Sequence, residues 1–182
     1  MKARTSSIER STRETKISVD LNIDGTGQFD VECDIQFLKH MTETLARYAG
    51  FDLKLRASGD NDHHIIEDVA ITLGKALRQA MGSDPIERMG TAIIPMDDAL
   101  VMSSLDLVDR PYADIDCPDP LYTHFMRSFA MSAGMTLHIV KFRGFDEHHI
   151  VEAGFKATGK ALSVALSRRA TELSTKDREI IG

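Results

Sequence analysis

Two short stretches, HHIIED at His63 to Asp68 and HHIVEA at His148 to Ala153, carry the same His-His-x-x-Glu pattern at a displacement of 85 residues. Imidazole and carboxylate are the donors that first-row divalent metals take when thiolates are absent, so the repeated cluster points to metal chemistry. On a helix, residues three and four apart share a face and adjacent ones diverge by roughly 100°. His63 and His64 can therefore both lie near Glu67 while their rings splay apart, and His148, His149 and Glu152 repeat the arrangement. One cluster can then serve two metals. Four His and two Glu fall a little short of two metals that each take about three or more protein ligands.

The repeat supplies further candidates. DHHIIEDVAITLGKALRQAMGS from Asp62 aligns with EHHIVEAGFKATGKALSVALSR from Glu147, sharing His-His-Ile, Glu and Gly-Lys-Ala-Leu. Upstream the displacement becomes 84, and FLKHMTETLARYAGFDLKL lies on LYTHFMRSFAMSAGMTLHI. His40 then falls on His124, which nominates both as ligands. His138 falls on Lys54 and is the odd one out of seven histidines, suited to strand packing or to substrate contact. Asp62, Asp68, Asp97 and Asp98 are candidates for orienting the imidazoles.

The elements that must hold these residues follow from periodicity. Ile17, Val19, Leu21 and Ile23 alternate with polar neighbours, Asp24 to Gly27 break the pattern, and Phe29, Val31 and Cys33 alternate again, which predicts a β-hairpin. Phe37 to Tyr48 follow helical spacing up to a capping Gly50, Leu53 to Ala57 resume a strand, and a second helix runs over about 62–81. The first half reads as ββαβα. In the second, 91–95 and 99–108 supply strands, a short strand follows Arg110-Pro111-Tyr112, and helices over about 121–133 and 147–169 flank a strand at 135–142. The expected architecture is α+β, a tandem duplication of a ββαβα half with pseudo-twofold symmetry. The repeats cover about 8–84 and 88–169 of one domain, and residues 170–182 read as a polar tail that orders on ligand.

Composition narrows the function. A net charge of −6 without clustered Lys and Arg argues against a nucleic-acid surface. Cys33 and Cys117 lack the spacing of a zinc ribbon or disulfide framework and read as reduced thiols. No run approaches the roughly 18 apolar residues of a membrane span, and the N-terminus has no apolar leader core, so a cytoplasmic location is expected.

In order along the chain, RSTRETKISVDLNIDGTG, FLKHM, HHIIEDVAITLGKAL, RMGTAIIPMDDAL, SLDLVDRPY, HFMRSFA, GMTLHI, HHIVEAGFKA and STK resemble the imidazole-glycerol-phosphate dehydratases of histidine biosynthesis. The resemblance spans nearly the whole chain. It implies two superimposable halves of the ribosomal protein S5 domain 2-like type. It also implies a phosphorylated small-molecule substrate, and two manganese ions per active site, each held by three His and one Glu from neighbouring subunits of a 24-subunit shell. The ligands it implies are His40, His63, His64, Glu67, His124, His148, His149 and Glu152, the eight that the repeat nominates. It assigns proton transfer to Glu14 and the phosphate end to Arg88, Arg110, Lys156, Ser174 and Lys176. The reaction it implies is dehydration of imidazole-glycerol phosphate to imidazole-acetol phosphate, through a metal-bound imidazolate with a diazafulvene-like intermediate. Lys156 also has a physical argument, lying one turn beyond Glu152 on the same helix face. This chain departs from the family pattern at Lys39 before the first ligand, at the short Asn61-Asp62 loop and at Asp177 after STK. The competing readings are a metal-stapled assembly protein and a two-metal hydrolase.

Overall fold

The computed structural model describes residues 3–171; Ser174, Lys176 and Asp177 lie outside them. The first half runs β1 (Thr5–Ser11), β2 (Thr15–Asn22), β3 (Phe29–Cys33), α1 (Gln36–Ala49), β4 (Asp52–Gly59) and α2 (Asp62–Met81). The second repeats it as β5 (Met89–Met96), β6 (Ala99–Asp106), β7 (Tyr112–Ile115), α3 (Pro120–Ala133), β8 (Thr136–Arg143) and α4 (Glu147–Ala165). The duplicated α+β architecture is as expected, with a further strand, β1, ahead of the ββαβα order in the first half.

The hairpin expected between the strands at 17–23 and 29–33 does not form. The sheet order is β1-β2-β4-β3. β4 lies between the two strands, antiparallel to β2 and parallel to β3. The Asp24–Gly27 segment arches over the end of β4, held by Asp52, whose Oδ1 accepts from the backbone N–H groups of Thr26 and Gln28 at 2.9 and 3.1 Å. The true hairpin is β1–β2, turning through Thr12 to Glu14. The second sheet has the matching order β5-β6-β8-β7.

Alternation puts Ile17, Val19, Leu21 and Leu55 on the inner face of the first sheet, and Val101, Leu105, Leu137 and Ile139 on that of the second. The helices cover these faces. Gly50 and Gly134, at φ of 77° and 70°, end α1 and α3 with the same left-handed cap, their N–H groups bonding back into the helix. The last helix ends at Ala165, short of the expected 169. Residues beyond it return to the inter-half connection instead, Ser167 and Pro85 carbonyls accepting from Glu87 and Arg169 N–H.

Across the pseudo-twofold, α1 packs on α4 and α2 on α3. These contacts are close because each has a glycine at its centre, and the two glycines are the Gly of the repeated Gly-Lys-Ala-Leu. A Cβ on Gly74 would lie 2.6 Å from the Phe129 carbonyl oxygen of α3, and one on Gly159 would lie 2.9 Å from the Leu45 carbonyl oxygen of α1. Leu45 and Phe129 are themselves equivalent under the repeat.

The outer sheet faces differ. In register across three strands the first sheet presents Glu9, Ser18 and Arg56, whereas the equivalent row of the second is Ile93, Met102 and Val140.

Two substitutions in one helix test the packing argument. Gly154 has only Ile139 Cγ2 within reach of an added Cβ, at 3.9 Å. Gly154→Ala should therefore stabilise the protein by about 0.5–1 kcal/mol through helix propensity. Gly159→Ala should reverse that sign and destabilise by about 1–3 kcal/mol, because the two backbones are forced apart. Urea midpoints of the two variants check this directly.

Candidate metal centre

Each metal-ligand candidate sits on a helix, and the cross-half packing decides which of them meet. His63 and Glu67 lie one turn apart on α2, with Nε2 and Oε2 3.9 Å apart. The third member comes from the other half: His124 of α3 places Nε2 3.1 Å from Glu67 Oε1 and stacks its ring on His63 at 5.3 Å. The pseudo-equivalent cluster joins His148 and Glu152 of α4 to His40 of α1, at 3.3 and 3.5 Å from Glu152 Oε2. Both clusters are thus composites of the two repeats.

His64 and His149 turn away from these groups. The paired rings are nearly perpendicular, 75° between His63 and His64 and 85° between His148 and His149, so the predicted splay is observed. Asp60 Oδ1 accepts from His64 Nδ1 at 2.8 Å and raises its pKa above the ordinary imidazole value. Asp98 Oδ1 does the same for His149 at 2.7 Å. Asp98 is itself held far below the usual carboxylate range, first by the Phe145 N–H, then by His149 and the Asp146 N–H. A neutral ring that donates Nδ1–H in this way keeps its lone pair at Nε2, the atom that a metal requires.

The helix starts make this placement possible. The side chains of Asn61 and Asp146 cap α2 and α4 by accepting from the N–H of His64 and of His148 and His149 respectively.

Among the acids expected to orient imidazoles, Asp98 does so and Asp97 lies 3.3 Å from His149 Nε2. Asp68 does not: it is buried beneath the β1–β2 hairpin, bonded to Arg10 at 2.8 Å and to the Thr15 hydroxyl. Asp60, which sequence reasoning missed, takes the role at His64. Its position four residues before His64, ahead of a capping Asn61, was the available signal.

Glu14 sits at the tip of the β1–β2 hairpin, exposed, with Oε2 3.7 Å from His64 Nδ1 and its backbone carbonyl accepting from Asp60 N–H at 3.0 Å. At the 84-residue displacement it falls on Asp98, at the tip of β5–β6. The halves thus present an exposed glutamate at ion-pair distance from one His and an aspartate hydrogen-bonded to the other.

The phosphate candidates are not gathered in one place. Lys156 bonds Glu152 Oε1 at 2.8 Å and approaches Met96 Sδ at 3.0 Å, beside the second cluster. Arg88 pairs with Asp106 at 2.8 Å, at the opposite end of β5, about 23 Å along the strand. Arg110 is exposed at the start of β7. His138 lies on the outer face of the second sheet near Tyr112, outside both clusters.

The donor set suits a divalent cation. His124 Nε2 is buried and unbonded, its 3.1 Å approach to Glu67 lying outside hydrogen-bonding geometry. A buried, unpartnered ring nitrogen facing a carboxylate, on a ring stacked on a second imidazole, is an arrangement that a metal satisfies.

A family model described as imidazoleglycerol-phosphate dehydratase matches residues 33–162. The chain belongs to the imidazoleglycerol-phosphate dehydratase family. An imidazoleglycerol-phosphate dehydratase of Desulfitobacterium hafniense (strain Y51) is 44% identical over 180 residues, covering 91% of this chain and 92% of its own length. That of Jannaschia sp. (strain CCS1) is 45% identical over 177 residues, with coverages of 90% and 91%. Among solved structures, the Pyrococcus furiosus enzyme in complex with (S)-C348 superposes with a TM-score of 0.83 at 38% identity, covering 92% of this chain and 98% of that one. The enzyme of Staphylococcus aureus subsp. aureus N315 gives 0.82 at 29% identity, with coverages of 91% and 99%. The resemblance read from the motifs is therefore correct, and these relatives are hydro-lyases. Among the described residues no helix is long and apolar enough to cross a membrane.

Removing one carboxylate tests the composite cluster. Glu67→Gln should weaken manganese binding at least about tenfold while leaving the fold intact, measured by isothermal titration of metal-free protein with Mn2+ and by circular dichroism.

Proposed function

We propose that this chain dehydrates imidazoleglycerol phosphate to imidazole-acetol phosphate in histidine biosynthesis, using two manganese ions. Family membership supports the reaction. The observation that carries the metal requirement is the pair of composite His-His-Glu clusters, one of them containing an unbonded buried nitrogen. The residues that would hold the metals are His40, His148 and Glu152 in one site and His63, His124 and Glu67 in the other. His64 and His149 face away from both clusters of their own chain, and each would complete a site in a neighbouring subunit. Such a division makes assembly a condition of activity. The outer apolar row of Ile93, Met102 and Val140, exposed at Ile93 and Val140, supports a homo-oligomer, with the 24-subunit shell as the proposed form.

Bound divalent metal would supply Lewis acidity toward the imidazole ring and the adjacent hydroxyl. The reaction then requires the hydroxyl on the carbon beside the ring to depart as water and a proton to leave the next carbon, whose own hydroxyl is retained. The enol so formed takes up a proton to give the ketone. Glu14 is the proposed proton carrier: it is exposed, pairs among the described residues with no Lys or Arg, and lies 3.7 Å from a proposed ligand, His64. Asp60, at 2.8 Å, takes the shorter, orienting bond to His64. Lys156, Arg88 and Arg110 are the proposed phosphate partners, together with Ser174 and Lys176. Because Arg88 and Lys156 lie at opposite ends of β5, one phosphate would draw them from different subunits.

Metal-stripped protein supplied with imidazoleglycerol phosphate should form imidazole-acetol phosphate only when Mn2+ is restored. Glu14→Gln should lower kcat by at least about 100-fold with Mn2+ binding unchanged. Release of inorganic phosphate instead would identify a hydrolase. Manganese binding without any turnover of this substrate would leave a structural role.

A further inference from the structure

The duplication makes the two composite clusters equivalent in position but not in charge. One turn beyond Glu67 on α2 stands Ile71, whereas one turn beyond Glu152 on α4 stands Lys156. The Glu67 carboxylate is partly open, 36% exposed, and meets only His63 and His124 among the ion pairs of the described residues. The Glu152 carboxylate is 8% exposed and both oxygens are occupied. Oε2 faces His40 and His148, and Oε1 accepts from Lys156 Nζ at 2.8 Å. Lys156 is itself enclosed, with Met96 Sδ at 3.0 Å and the Tyr48 ring below it at 5.8 Å. A divalent cation entering the second cluster meets a fixed positive charge on the carboxylate it must share, and that Glu152–Lys156 pair is itself largely withdrawn from water. Among the described residues no Lys or Arg pairs with the Glu67 carboxylate that a cation entering the first would meet.

We propose that the two metal sites are inequivalent and fill in order, His63–His124–Glu67 first and His40–His148–Glu152 second, with Lys156 holding back the second. This rests on the two-manganese reading above. With the cation on Oε2 and Nζ on Oε1 of one carboxylate, like-charge repulsion is enough to lower the second affinity at least about tenfold. Lys156 thus acts as a residue that sets metal occupancy.

The test is calorimetric titration of metal-free assembled protein with Mn2+, with bound ion counted from loss of the free-ion electron paramagnetic resonance signal. Wild type should bind two Mn2+ per chain in two classes at least tenfold apart. Lys156→Met, which keeps the stem but removes the charge, should tighten the weaker class until the two merge. Ile71→Lys, which moves a charge to the equivalent place in the other half, should weaken the tighter class. Circular dichroism and thermal melts confirm that both variants fold. Two classes whose separation neither variant changes, or a single class in wild type, would overturn the ordering while leaving two metals in place. Fewer than two Mn2+ per chain would sink the two-metal reading itself, and the ordering with it.

Discussion

Two backbone contacts through glycine set the geometry of everything else: Gly74 of α2 against the carbonyl of Phe129 in α3, and Gly159 of α4 against that of Leu45 in α1. Each brings a helix of one repeat against a helix of the other at a distance no larger residue allows. His40 lies five residues before Leu45, and His124 five before Phe129, so the same approach carries each lone histidine onto the His–Glu face of the opposite helix. Packing and chemistry share one constraint. A repeat by itself holds two thirds of a cluster, and the duplicated chain holds two whole ones.

Within that symmetric frame the halves have taken different work. Glu14 and Asp98 occupy equivalent hairpin tips, yet Asp98 is consumed by His149 and two backbone N–H groups, while Asp60 relieves Glu14 of the corresponding duty at His64. Ile71 and Lys156 differ in charge at equivalent helix positions, and the outer sheet faces differ between charged and apolar. The core positions and the candidate ligands are repeated; the residues around them, Glu14 against Asp98 and Ile71 against Lys156, are not.

Much of this was legible in the residues. The helix at 62–81 and the capping Gly50 were read at their observed places because apolar periodicity and left-handed caps are local properties. The candidate ligands stood out because duplication writes them twice, and six of the eight gather in two clusters. β1 was missed because TSSIERS has one apolar residue. Its inward positions are Ser6, Ile8 and Arg10, whose polar groups are satisfied by the Ala76 carbonyl and Asp68, so the alternation that marks a strand is hidden. The 17–33 hairpin failed for the opposite reason: alternation identifies strands but not their partners, and β4 enters from 30 residues away. Nor could spacing tell that His40 meets Glu152 rather than Glu67, since that depends on which helices cross.

Anomalous scattering at the manganese edge from crystals of the metal-loaded protein tests the central claim most directly. The account predicts one peak bounded by His63, Glu67 and His124 and a second bounded by His40, His148 and Glu152, each ringed by residues of both repeats. A metal held by His63, His64 and Glu67 of a single helix, with His124 left outside, would contradict it.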